Sequence, residues 1–380
     1  MSHPKIENRP YQTRIVQKAL DLFRGGVNSV LVISPTGSGK TVMGLGAMRQ
    51  LQKETGMRIG WSAMRRELLH QARRENEVLG FNIPGFVTIS MFDRNPPKVD
   101  ALVVDEAHHD ATETMGNLHS MVQPTYVLGL TATPIRPDKA ALCFEKTIDD
   151  CGIQQLISDG YLSQYQHFTI DEYTPESVVR VYTMDPSRWG KSVVFFHKTS
   201  DCQRTLELFK KHEVAAELVT HDSDRDAQLH RFSTGETTVL INMIILGEGF
   251  NSPDLKTVFV RPSVKKPTIQ MAGRVLRLHP DAPFKQIVQC KHTNAPFTKV
   301  AKPAEQFVLV GQQWLSLVEN RQLDSQVQDA LKQVLAAPVA FDADRFIRKR
   351  ATIVDEPKSS KPKKPKKSKK QVITEESHDE

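Results

Sequence analysis

The clearest chemistry in the chain lies in one run, Ser34-Pro35-Thr36-Gly37-Ser38-Gly39-Lys40-Thr41. It follows the apolar stretch VNSVLVIS and opens a segment of helical periodicity, the context in which such a run cradles phosphate. Glycines at 37 and 39 let backbone N–H groups turn inward around phosphate oxygens, and the start of the helix adds a favourable dipole. With Pro35, Thr36 and Ser38 they form the expected cradle. Lys40 is expected to meet the β- and γ-phosphates of ATP, and the Thr41 hydroxyl to ligate Mg2+. Ser34 stands where the general pattern has glycine.

A second group, Asp105-Glu106-Ala107-His108, ends the apolar run ALVV. Its carboxylates should therefore reach the C-terminal edge of the same sheet, where open α/β sheets bind their ligands. Asp105 is placed to hold Mg2+ through its water shell, and Glu106 to orient and deprotonate an attacking water. His108 and His109 are adjacent, diverge on a helix and lack an evident third ligand, so no metal is expected there.

The elements that must carry these residues alternate. Apolar strands and amphipathic helices succeed one another through VNSVLVIS, MRIGWSA, ALVVDE and TYVLGLTAT, and the pattern restarts with SVVFFH, AAELVT, TTVLINMII, KTVFVRP and KQIVQC. Such alternation predicts parallel sheets covered by helices, and continuous apolar runs suit strands buried on both faces. Between the two sets, IQQLISDGYLSQYQHFTI reads as a helix, a stop at Gly160 and a return strand. The expected division is a first α/β domain over 1–165, a second over 166–312, a helical extension over 313–350 and a disordered Lys/Pro-rich tail over 351–380.

Composition agrees with a folded chain: 380 residues, 39% hydrophobic and 25% charged, room for two domains of ordinary size. The formal charge is +7, but residues 357–380 hold eight lysines against four acids, so the body carries only about +3. Its Lys/Pro-rich stretch, 357–371, has no apolar content with which to order itself. It is a solubilising segment, a source of non-specific nucleic-acid affinity or a nuclear signal. Cysteines at 143, 151, 202 and 290 show neither a CxxC pair nor zinc-finger spacing. No apolar run is long enough to span a bilayer and the first residues carry no apolar signal segment. A soluble protein with no membrane partner is expected, placed in the cytoplasm, at the nucleoid or, through the tail, in a nucleus.

Taken in order, the phosphate loop, Asp105-Glu106-Ala107-His108 and Thr131-Ala132-Thr133-Pro134 resemble the motifs of superfamily 2 helicases and translocases, over roughly residues 9–280. The resemblance implies two tandem RecA-like domains. It extends to Arg9-Pro10-Tyr11-Gln12, which looks like the element whose glutamine reads adenine and makes Gln12 the adenine contact. The run Met64 to Gln71 resembles motif Ia and Thr88-Ile89-Ser90 motif Ib. Both contact the nucleic-acid backbone in that family and nominate Arg65, Arg66, Thr88 and Ser90, with Arg73 and Arg74 as further basic candidates. Met64 replaces the usual proline.

In the second half, Val193 to Phe196 looks like motif IV, and Gly247-Glu248-Gly249-Phe250-Asn251 like motif V, with Gly249 at the nucleotide and Asn251 where many relatives have aspartate. Gln270-Met271-Ala272-Gly273-Arg274-Val275-Leu276-Arg277 resembles motif VI. That match adds Gln270 to the catalytic set and implies that Arg274 and Arg277 are arginine fingers reaching the γ-phosphate across the interdomain cleft. His108, Thr131 and Thr133 are implied to relay between the ATP and nucleic-acid sites. In motif style the chain is similar to the group with RadD, XPB, UvsW and restriction-enzyme motor subunits, which favours DNA over RNA. The residues do not discriminate strand separation from duplex translocation without separation, an RNA helicase stays as an alternative, and the intact set of Lys40, Glu106, Arg274 and Arg277 argues against an ATP-gated clamp.

Overall fold

The computed structural model describes residues 9–109, 113–132, 142–243 and 252–317. The first lobe opens with helix α1 (Pro10–Arg24), whose apolar face buries Ile15, Ala19, Leu20 and Phe23. Proline at its first position suits a site where a backbone N–H has no partner, and Arg9 and Gln12 close a capping box around it. There follow β1 (Ser29–Ile33), α2 (Lys40–Thr55), β2 (Ile59–Ala63), α3 (Arg66–Val78), β3 (Val87–Ser90), β4 (Ala101–Asp105), α4 (Glu113–Val122), β5 (Tyr126–Thr131), β6 (Lys146–Asp149) and α5 (Ile153–Ser158). The six strands form one sheet in the order β3-β2-β4-β5-β1-β6, and every pairing in it is parallel. All five residues of β2 and of β4 are buried, as strands covered by helices on both faces must be.

The second lobe contains β7 (Gln164–Ile170), α6 (Pro175–Met184), α7 (Pro186–Trp189), β8 (Ser192–Phe195), α8 (Thr199–Lys211), β9 (Ala216–Leu218), α9 (Arg225–Thr234), β10 (Val239–Asn242), β11 (Thr257–Phe259), α10 (Lys265–Gly273), β12 (Phe284–Cys290), β13 (Glu305–Val310) and β14 (Gln313–Ser316). Its eight strands run β14-β13-β7-β12-β11-β8-β10-β9. The sheet is parallel except for the β13–β14 hairpin. Two α/β lobes with parallel sheets are the architecture the alternating pattern implies. The expected boundary at 165/166 falls inside β7, which starts at Gln164 and pairs along its whole length with β12 of the second sheet.

One expectation needs correction. Residues 313–316, assigned to a helical extension, form β14. The reason is tertiary: Trp314 of β14 and Phe307 of β13 pack on the fully buried Phe168 and Trp189, with ring centroids 5.0 Å apart for Phe168–Trp314 and 4.8 Å for the stacked Phe168–Phe307 pair. Aromatic pairs add roughly 0.5–1.5 kcal/mol each beyond their area burial, which outweighs a weak helical periodicity over four residues. The rest of the expected extension and the whole expected tail lie outside the described residues. No described helix is long and apolar enough to cross a membrane.

Candidate active site

Parallel pairing puts the ends of three adjacent strands side by side. In register, Asp105 of β4 stands opposite Leu130 of β5, and Thr131 of β5 opposite Ile33 of β1. The chain leaving β1 is tied to the same edge, since Ser34 N–H donates to Thr131 O at 2.9 Å. The phosphate loop, the acidic pair and Thr131 thus meet at the C-terminal edge of the first sheet, where the sequence places them.

Within the loop, Gly37 and Gly39 adopt φ of +84° and +83°, a region only glycine enters without strain. A Cβ on Gly39 would lie 2.5 Å from the Gln12 amide nitrogen, so the position excludes a side chain twice over. Ser34, in the place of the usual glycine, is fully buried and its hydroxyl donates to Ser38 Oγ at 2.7 Å, bracing the loop across its base. From outside, the Tyr11 hydroxyl and the Gln12 side-chain amide both donate to Ser38 O, at 2.6 and 2.8 Å. Gln12 also accepts from Arg9 N–H at 2.9 Å. Both ends of its amide are thus engaged with protein, and Gln12 is absent from the cleft wall. The residues that line that end of the cleft are Arg9 and Tyr161.

Lys40 Nζ and Glu106 Oε1 face each other at 4.0 Å across the loop. Glu106 adopts φ of +51°, a left-handed conformation that costs a residue with a Cβ about 1–3 kcal/mol and persists where surroundings impose it. Its carboxylate lies 3.4 Å from His108 Nδ1, which is itself 3.2 Å from the Thr131 hydroxyl. His108 therefore joins the Glu106 carboxylate to the Thr131 hydroxyl at the end of β5. Thr133 lies outside the described residues, as does Gly249.

Asp105 is buried, and its carboxyl is pushed up to about 7, first by burial and then by the charge of Glu106, against the pull of Lys40. Two neighbouring carboxylates with one lysine leave this edge short of positive charge, so a divalent cation held by Asp105 and Thr41 fits the residues present.

The second lobe contributes from α10. Gly273, at its last turn, approaches the loop so closely that a Cβ there would sit 3.5 Å from Thr36 Cβ. Arg274 and Arg277 follow directly and line the same cleft, of about 460 Å³, as Thr36, Lys40, Asp105 and Glu106. A Cβ on Gly37 would be 3.3 Å from Arg277 Cγ. Burial lowers the Arg277 guanidinium to about 10, Arg274 adds to the shift and Glu75 of α3 opposes it. Two guanidinium groups drawn together out of water form a site that favours a multiply charged anion. Gln270 is half-buried on α10 and does not line the cleft.

The candidate nucleic-acid contacts occupy the other end of the same sheet edge. Ala63 of β2 pairs with Ser90 of β3, so Arg65 and Arg66, which follow β2, emerge beside Ser90. Thr88, two residues back on β3, accepts a hydrogen bond from Arg73 of α3 at 2.8 Å. Helix α3 therefore presents Leu68, Gln71 and Glu75 to the cleft and Arg73 to β3. The sequence reading passed over Arg9, Tyr161 and Glu75 as site residues. Arg9 and Tyr161 meet only because the turn at Gly160 returns the chain to the start of α1, a long-range contact that no local spacing signals.

A P-loop nucleoside-triphosphatase site divided between two RecA-like lobes is the class that this fold and cleft define. The family model for the type III restriction enzyme res subunit matches residues 5–83 and 87–136, and the helicase conserved C-terminal domain matches 174–279. The chain belongs to the superfamily 2 helicases. It is 24% identical over 342 residues to a putative ATP-dependent helicase IRC3 of Saccharomyces cerevisiae, covering 71% of this chain and 49% of that protein. It is 26% identical to a putative DNA 3'-5' helicase Rad25 of Halobacterium salinarum, covering 72% and 52%. The chain thus spans about half the length of these curated relatives. Among solved structures, Saccharomyces cerevisiae Dbp5 bound to RNA and ADP BeF3 matches with a TM-score of 0.56 at 16% identity, over 79% of this chain and 93% of that one, a likeness of fold.

Proposed function

We propose that this chain hydrolyses ATP and converts the cycle into movement on nucleic acid, with DNA the favoured track and phosphates its main point of contact. The observation that carries the reading is the single cleft in which Lys40, Thr41, Asp105 and Glu106 of one lobe face Arg274 and Arg277 of the other. Gly37 to Thr41 hold the phosphates by backbone N–H groups, and Mg2+ on Thr41 and Asp105 would supply charge neutralisation between the β- and γ-phosphates. Glu106 orients a water and takes its proton as the water oxygen bonds to the γ-phosphorus. The bond to the bridging oxygen breaks, leaving ADP and inorganic phosphate. Arg274 and Arg277 spread the charge of that transfer.

Because the γ-phosphate is gripped from both lobes, its presence favours the closed cleft and its loss relaxes it. His108 and Thr131 relay that change along the sheet edge toward Arg65, Arg66, Thr88 and Ser90. Contacts of these types go to the backbone, suit movement indifferent to sequence and weaken steeply with salt. The likeness to the Halobacterium salinarum putative DNA 3'-5' helicase Rad25 and the motif style support DNA; the expected setting is the cytoplasm or nucleoid.

Steady-state ATPase activity of wild type and Glu106→Gln, alone and with single-stranded DNA, duplex DNA, forked DNA and RNA, tests the reading. Stimulation by a DNA form, lost in Glu106→Gln, is the expected result. Stimulation by RNA alone would overturn the choice of track, and indifference to every polymer would overturn the motor itself.

A further inference from the structure

Three consecutive residues between the lobes touch three working parts of the cleft. Gly160, at φ of +74°, turns the chain after α5, and the next two N–H groups, of Tyr161 and Leu162, donate to Leu156 O at 2.8 and 3.0 Å. The Tyr161 ring lies 5.2 Å from that of Tyr11 and 5.2 Å from the Arg9 guanidinium carbon, and Arg9 Nη1 donates to Tyr161 O at 3.2 Å. Tyr11 in turn donates to the phosphate loop at Ser38 O. Leu162 is buried directly over the loop, its Cδ2 3.1 Å from where a Cβ on Gly37 would stand. Ser163, 2% exposed, then grips the segment that carries the second-lobe arginines: its N–H donates to Leu276 O at 2.8 Å and its hydroxyl to Arg277 O at 3.1 Å.

We propose that Ser163 is a positioning residue for Arg277 and that the strap Tyr161-Leu162-Ser163 sets the finger against the phosphate loop. The proposal rests on the reading of the cleft as an ATPase site. Arg277 lies beyond the C-terminus of α10, in a bend rather than in a helix, so no regular ladder fixes its backbone. The strap does, from a segment that packs on Tyr11, itself bonded to Ser38 O, and that lies over Gly37. The position of the loop is thereby passed to the carbonyl of the residue whose side chain must meet the γ-phosphate. Such an arrangement acts on the transferring phosphoryl group while leaving the seating of the nucleotide to the loop, which separates kcat from KM.

The test is a double-mutant cycle on polymer-stimulated ATPase activity, using the full chain. Ser163→Ala keeps the N–H bond and removes the hydroxyl bond; kcat is expected to fall about tenfold with the KM for ATP within about twofold, and Ser163→Thr to restore it. In an Arg277→Ala background, Ser163→Ala should cost nothing further, because its effect runs through Arg277. An equal loss in both backgrounds, or a wild-type kcat in Ser163→Ala, would overturn the proposal. Absence of ATP hydrolysis by the wild type with every polymer would instead remove the ATPase reading beneath it.

Discussion

On the first-lobe wall of the cleft, the charged and hydroxyl side chains of the phosphate loop and the acidic pair sit at or beyond the ends of buried parallel strands: Lys40 and Thr41 after β1, Asp105 at the end of β4 and Glu106 directly after it. On the second-lobe wall, Arg274 and Arg277 follow a nine-residue helix, and Ser163 reaches the 276–277 backbone with two hydrogen bonds. The first wall is braced by its own lobe through Ser34, Tyr11 and Gln12. The second wall takes its position from the strap and from contact with the loop. On the proposed function, one half of such a site binds nucleotide and the other completes the charge around the γ-phosphate.

The comparison breaks most visibly at Arg277. Arg277→Ala should lower kcat by ~10³-fold or more, the scale of an arginine finger, while a fluorescent ATP analogue still binds with near wild-type affinity. A comparable loss of affinity would place Arg277 in ground-state binding and erase the distinction between the walls. Gly39→Ala probes the opposite wall. The left-handed conformation costs about 1–2 kcal/mol in a residue with a Cβ, and that Cβ would press on the Gln12 amide. Nucleotide binding should be lost together with roughly 2–8 °C of Tm, measured by thermal unfolding.

A smaller effect sharpens the picture of the second lobe. Lys285 on β12 is fully buried, and its ammonium donates to Pro253 O and Leu255 O, each at 2.7 Å. Burial lowers it to about 8 from 10.5, with Asp254 opposing. Since the folded-state value is the lower one, the unfolded chain binds more protons between about pH 8 and 10.5. Over that window the lysine's contribution to stability becomes more favourable as pH rises, and below it the contribution is constant. Urea unfolding of wild type and Lys285→Met should therefore diverge in favour of wild type from pH 8 upward; parallel curves would mean that the amine is not desolvated. Pro253 lines the cleft, so the same lysine anchors the second wall from behind.

Residues whose role follows from local chain geometry were legible in the sequence. A glycine pair between a strand and a helix, an acidic pair at a strand end and a repeated strand–helix alternation each state their placement within a few residues, because parallel strands must end on the same edge. On this basis the sequence located Gly37, Gly39, Lys40, Thr41, Asp105 and Glu106 at one sheet edge, while Arg274, Arg277 and the relay residues His108, Thr131 and Thr133 came only from the resemblance to the helicase family. Contacts made by folding distant segments together were not legible. Gln12 turned inward to brace Ser38 while Arg9 and Tyr161 took the wall, the β13–β14 hairpin replaced the start of an expected helix through its packing on Phe168 and Trp189, and Ser163 gained its grip on Arg277 across more than a hundred residues of chain. Strand ends and loop glycines are decided by backbone sterics that act over a few residues; which side chain fills a given gap is decided by packing among segments that meet only in three dimensions.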